Sequence, residues 1–68
     1  MEPSVYTEVR GNAMWITLNR PAAMNSITPQ IVEGINRALD QVEAEDGPRV
    51  VVLTGTGRAF CAGADLKF

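Results

Sequence analysis

Val50-Val51-Val52-Leu53-Thr54-Gly55-Thr56-Gly57-Arg58 is the stretch that decides the fold. Val50 to Leu53 is a continuous apolar run, Thr54 extends it to strand length, and a glycine-bracketed turn follows at once. A strand apolar at every position suits a sheet covered on both faces, as parallel sheets are. Upstream, Thr28-Pro29 opens a helix, with Thr28 as N-cap and Pro29 at the first helical position. Ile31, Ile35, Ala38, Leu39 and Val42 then fall on one stripe at helical spacing. Glu33 and Arg37 stand one turn apart on the other side, in the favourable order. Gly47-Pro48 ends the segment as a C-cap glycine followed by proline does. Gly34, inside the helix, costs about 1 kcal/mol relative to alanine, and its missing side chain admits close packing.

Before the helix, Val5-Tyr6-Thr7-Glu8-Val9-Arg10 is rich in β-branched and aromatic residues and reads as a strand. Gly11-Asn12 suits a type II′ turn. Ala13 to Asn19 then alternates, Met14, Ile16 and Leu18 on one face and Trp15, Thr17 and Asn19 on the other. The pair is an antiparallel hairpin, with Trp15 a half-buried strand aromatic. Pro21 removes a backbone donor and biases Arg20 toward an extended conformation, so the second strand ends there. Strand, helix and strand make a β-α-β crossover, expected to be right-handed. The fold class is α/β.

Composition narrows the function classes. The chain has 68 residues, a net charge of −2, one cysteine and no histidine. A chain this short buries only about 60% of its unfolded surface, and Cys61 alone forms no internal disulfide. The lone thiol suggests a reducing compartment or a buried, inert cysteine, no histidine is present to activate it, and no metal-ligand cluster is expected. The basic residues are scattered, so nucleic acid is not an expected partner. Met1-Glu2-Pro3-Ser4 lacks the pattern of a signal peptide, and Val50–Leu53 is far too short to span a bilayer. The expectation is a soluble, cytoplasmic protein without membrane insertion.

Three readings compete for the turn and for Ala59-Phe60-Cys61-Ala62-Gly63-Ala64-Asp65-Leu66 after it. A dinucleotide fingerprint needs a third glycine at position 60, where Phe60 stands, and a P-loop needs a Gly-Lys-Ser/Thr triplet that does not occur. A purely structural reading takes the small residues as an apolar turn over a sheet edge. The third reading is an oxyanion site built from backbone. Small residues entering a helix present free N–H groups in a field favourable to negative charge, and such donors stabilise an enolate or tetrahedral oxyanion without an ionisable side chain.

Leu18-Asn19-Arg20-Pro21, Asn25-Ser26-Ile27, Val51-Val52-Leu53-Thr54-Gly55 and Arg58-Ala59-Phe60-Cys61-Ala62-Gly63-Ala64-Asp65-Leu66 together resemble the crotonase superfamily of enoyl-CoA hydratases and isomerases. The resemblance runs from about Val5 to the end. It implies residues 1–68 as the N-terminal segment of a single, incomplete crotonase-fold domain, a spiral of β-β-α units with hairpin, amphipathic helix, buried parallel strand and oxyanion-loop turn. It implies an acyl-CoA substrate, coenzyme A being part of the substrate and no separate cofactor needed, and a homotrimer or hexamer completed by the remaining C-terminal part of the same protein. The implied reaction is a lyase step of fatty acid metabolism that adds water to the 2,3 double bond of the thioester.

By the same resemblance, the catalytic group is the backbone N–H of Ala64, and Gly63 lets the thioester approach. Coenzyme A is expected to lie along Ala62, Gly63, Ala64, Asp65, Leu66 and Lys67, with the adenine near Ala62. Ala22, Ala23 and Met24 flank it from the other side. Many hydratases carry a basic residue where Ala22 stands, which leaves that phosphate contact to Arg20 or to a residue from elsewhere. The paired glutamates and the second oxyanion donor belong to segments beyond position 68, so the 68 residues alone are expected to be inactive. Glu33, Asp40, Glu43 and Glu45 read as a solvated helix face, and Asp65 as an N-terminal helix acid or structural hydrogen-bonder in preference to a catalytic base. Other branches of the fold (isomerase, hydrolase, dehalogenase) share this portion. A non-catalytic fragment acting only in assembly is the alternative of another class.

Overall fold

Strict alternation along one six-residue strand gives it one buried face, and pairing along both of its edges puts it at the centre of the sheet. A computed structural model describes residues 3–44 and 48–64. In it β1 (Val5–Arg10) and β2 (Ala13–Leu18) form the expected hairpin, α1 (Pro29–Ala44) follows, and β3 (Val50–Gly55) closes a sheet of order β1-β2-β3. The β1–β2 pairing is antiparallel and the β2–β3 pairing parallel, so the sheet is mixed. Gly11 has φ +60°, while Asn12 is not left-handed, as a type II′ turn requires.

Met14, Ile16 and Leu18 are almost fully buried, and Trp15 and Thr17 are half-buried on the opposite face. The Arg10 guanidinium lies 4.5 Å from the centre of the Trp15 ring. Such a contact is attractive through the ring quadrupole and covers part of that face. Ala38 closes the core with Met14 and Ile16, and Val5, Ile35 and Val42 pack around it.

Two expectations change. Leu39 is 38% exposed and does not belong to the buried stripe. At 3.6 residues per turn it stands about 80° round the helix from Ile31, beside exposed Val32, while Ile35, Ala38 and Val42 stay close to the Ile31 line. The second change concerns β3. It pairs in parallel as expected, but among the described residues it is not buried, Val50, Val51 and Leu53 being 42–47% exposed. The register explains Val51 and Leu53. Val51 pairs with Met14 and Leu53 with Ile16, so they share the helix-covered face, but α1 lies over β1 and β2. The helix covers the hairpin half of that face and leaves the β3 half open.

Residue 34 accounts for how closely α1 approaches β1. A Cβ on Gly34 would stand 2.8 Å from Val5 Cβ, closer than carbon atoms approach without displacement. The described part of α1 ends at Ala44, and the Gly47 C-cap expected from the sequence lies outside the described residues. Among the described residues no helix is long and apolar enough to cross a membrane.

Gly34→Ala should therefore destabilise the protein by about 1–3 kcal/mol through overpacking, although alanine is the better helix former by about 1 kcal/mol. Urea unfolding of Gly34→Ala in the wild-type background and in a Val5→Gly background, where the facing Cβ is gone, checks this. In the second background the substitution should cost much less, and a stabilised single variant would show that the contact is soft.

Candidate functional site

The C-terminal ends of β2 and β3 lie side by side, Leu18 paired with Gly55, and the loops leaving both strands meet there. The first loop, 19–28, begins with a single 3-10 turn at Pro21–Ala23. Met24 and Asn25 then adopt left-handed backbone, with φ +51° and +55°. That region strains most side chains, and asparagine tolerates it better than methionine does. The loop ends at Thr28, whose Oγ1 accepts from the Ile31 N–H at 3.3 Å and caps α1 as expected.

Asn25 is fully buried, 0% exposed, and its side chain ties the two loops together. Its Nδ2 donates to the Thr56 carbonyl at 2.9 Å and to the Ala59 carbonyl at 2.8 Å, and its Oδ1 accepts from the Arg20 N–H at 2.6 Å. The Asn25 N–H donates to the Arg20 carbonyl at 2.9 Å. Two carbonyls require a donor and one N–H requires an acceptor, so a carboxamide fits this place in one orientation only. Gly55 is shaped to the same contact. A Cβ there would lie 2.5 Å from the Phe60 carbonyl oxygen and 2.6 Å from Asn25 Nδ2. Gly57, with φ +81°, turns the chain back.

After the turn, residues 61–64 run alongside 24–27. The Ala62 N–H donates to the Met24 carbonyl at 3.0 Å, and the Ile27 N–H donates to the Gly63 carbonyl at 2.7 Å. These bonds frame a parallel bridge between Ile27 and Ala64. Gly63 takes φ +106°, a conformation that favours glycine, with open space where a side chain would stand. Ala64 is exposed, and among the described residues its N–H meets no acceptor.

The structure thus brings Met24 against Ala62, and with it the two sides of the expected coenzyme A site. Ala22 and Met24 are exposed and Ala23 is half-buried; Ala62, Gly63 and Ala64 are exposed. Asp65, Leu66 and Lys67 lie outside the described residues, as does any helix beginning at Asp65. Arg20 is directed into its own loop, its guanidinium donating to the Ser26 carbonyl at 2.8 Å and to Ser26 Oγ at 3.3 Å. Cys61 is half-buried. Glu33, paired with Arg37, is exposed on α1 with Asp40 and Glu43, and Glu45 lies outside the described residues. Asn25 received no role from the sequence. Its one local signal was an asparagine in a loop, which tolerates left-handed backbone and can bond backbone groups.

Comparisons with known proteins identify the family. The family described as enoyl-CoA hydratase/isomerase matches residues 8–68. The chain belongs to the enoyl-CoA hydratase/isomerase family. It is 42% identical over 66 residues to 3-hydroxyisobutyryl-CoA hydrolase-like protein 5 of Arabidopsis thaliana, covering 97% of this chain and 17% of that protein. It is 49% identical over 53 residues to probable enoyl-CoA hydratase echA12 of Mycobacterium leprae, covering 78% of this chain and 18% of that one. The crystal structure of a probable enoyl-CoA hydratase/isomerase from Mycobacterium abscessus superposes with a TM-score of 0.93 at 39% identity, over 98% of this chain and 27% of that one. The crotonase superfamily and its β-β-α arrangement are thereby borne out. The chain spans only about a quarter or less of the length of these family members.

Gly55→Ala tests the packing under the turn. Its new Cβ meets backbone and a tethered amide rather than a flexible side-chain end, so the protein should lose about 1–3 kcal/mol. A thermal or urea midpoint equal to wild type would contradict the tight approach seen at Gly55.

Proposed function

We propose that this segment forms one side of the acyl-CoA site of an enoyl-CoA hydratase, with the Ala64 N–H as an oxyanion donor. The observation that carries the reading is Ala64, an exposed residue whose N–H has no acceptor among the described residues, on an arm pinned through Ala62 to Met24 and through Gly63 to Ile27. A fixed donor aimed at developing charge costs no reorganisation during the reaction, and one such donor is worth about 3 kcal/mol.

In the proposed reaction water oxygen bonds to C3 of the enoyl thioester, and the C2=C3 electrons move toward the thioester carbonyl. The resulting enolate oxygen takes the Ala64 hydrogen bond. Collapse of the enolate returns the electrons to C2, which receives a proton. One water is consumed, and one hydroxyl and one hydrogen are added. The open side of Gly63 leaves room for the thioester, and the coenzyme A portion is placed along Ala62 to Lys67, with Ala22, Ala23 and Met24 opposite. The groups that handle water and proton belong to other segments of the complete enzyme. Glu33, Asp40 and Glu43 stand exposed on α1.

Likeness to a hydrolase-like protein over 97% of the chain favours one second reading. In a thioester hydrolase the same amide would receive the oxyanion of a tetrahedral intermediate, and free coenzyme A would leave. Loss of enoyl absorbance without thiol release identifies hydration, and thiol release identifies hydrolysis.

Ala64→Pro, which deletes the N–H, should lower kcat of the complete enzyme by about 10²–10³-fold with a smaller change in KM. Near-normal turnover in a folded variant would remove Ala64 from the mechanism. The 68-residue segment alone should hydrate no crotonyl-CoA, and measurable hydration by the purified segment would overturn the assignment of the acid–base groups to other segments.

A further inference from the structure

The two loops at the site are joined by one buried side chain, and its bonds reach the turn that leads into the oxyanion arm. Asn25 Nδ2 holds the carbonyls of Thr56 and Ala59, while Oδ1 holds Arg20 at the start of the opposite loop. On either side of Asn25, the Met24 carbonyl takes the Ala62 N–H and the Ile27 N–H donates to the Gly63 carbonyl. Every described hydrogen bond that sets the register of the arm therefore comes from Asn25 or from residues one or two positions away. Among the described residues, Ala62, Gly63 and Ala64 are small and exposed and offer the arm no side-chain anchor. Hydrogen bonds to a developing oxyanion depend steeply on distance and angle, so a shift between the two loops moves the Ala64 donor off its target.

We infer that Asn25 is a positioning residue for the Ala64 oxyanion donor, acting through the Thr56 and Ala59 carbonyls and never touching substrate. This rests on the oxyanion reading of Ala64 proposed above. The need for two donors on one nitrogen and an acceptor beside it explains the residue type. Aspartate has the same shape but would face two carbonyl oxygens with a carboxylate oxygen. Serine, one atom shorter, does not span the gap.

The test uses the complete enzyme with Asn25→Gly and Asn25→Asp. Glycine keeps φ +55° without steric cost and removes the tether. The measurements are the split between kcat and KM, and the carbonyl stretch of bound butyryl-CoA carrying carbon-13 at the thioester carbon. A wild-type oxyanion donor lowers that frequency. Both variants should lose most of the shift and about 10²-fold in kcat, the size of effect seen when one oxyanion donor is lost, with KM changed only a few-fold. Folded variants that keep the wild-type shift and turnover would overturn the inference and leave the oxyanion reading standing. Failure of both variants to fold, read from melting curves, would overturn it in favour of a purely structural role. A wild-type enzyme showing no carbonyl shift would remove the oxyanion reading and this inference with it.

Discussion

A buried carboxamide that must satisfy both of its ends is the constraint on which the site depends. Asn25 is sealed from water, and leaving a buried polar group unpaired costs about 1–3 kcal/mol. Its nitrogen finds the Thr56 and Ala59 carbonyls and its oxygen the Arg20 N–H. Meeting those demands fixes the distance between the loop that leaves β2 and the turn that leaves β3. Gly55 has no room for a side chain because this contact is drawn so close. The small-residue arm is then placed by backbone bonds to Met24 and Ile27, the neighbours of the same asparagine.

The sheet beneath supplies a rigid base for that junction. β2 is central, paired on both sides and packed through Met14, Ile16 and Leu18, and β3 runs parallel to it, so both strands deliver their loops to the same end. That end is where open α/β sheets place ligands. Thr56 strengthens the join, its N–H donating to the Leu18 carbonyl at 2.9 Å and its Oγ1 donating to Asn19 Oδ1 at 3.1 Å. Helix α1 covers only the hairpin half of the sheet, so Val51 and Leu53 of β3 stay partly exposed among the described residues.

What could be read from the sequence was the local and periodic part. Alternation from Met14 to Leu18, the Thr28-Pro29 helix start and the Gly11 turn each follow from nearby residues. The run at Val50–Leu53 announced a strand but not its exposure, which depends on where α1 lies. Leu39 was misplaced because five apolar residues at helical spacing span a wider arc than the helix buries. Ala62, Gly63 and Ala64 were singled out as small residues that permit close approach, and the family resemblance gave them a role. The part played by Asn25 was illegible because its partners lie 31 and 34 residues ahead. Nothing local distinguishes a buried tether from a solvated turn asparagine.

Family membership, the fold and the placement of two loops converge in support of the role proposed for the Ala64 amide. Nitrogen-15 NMR of the complete enzyme, labelled at alanine and titrated with an unreactive acyl-CoA thioester, tests that convergence most directly. The account predicts that the Ala64 amide proton moves downfield and exchanges more slowly with solvent as the site fills. An Ala64 signal that stays unchanged while the thioester saturates the protein would contradict it.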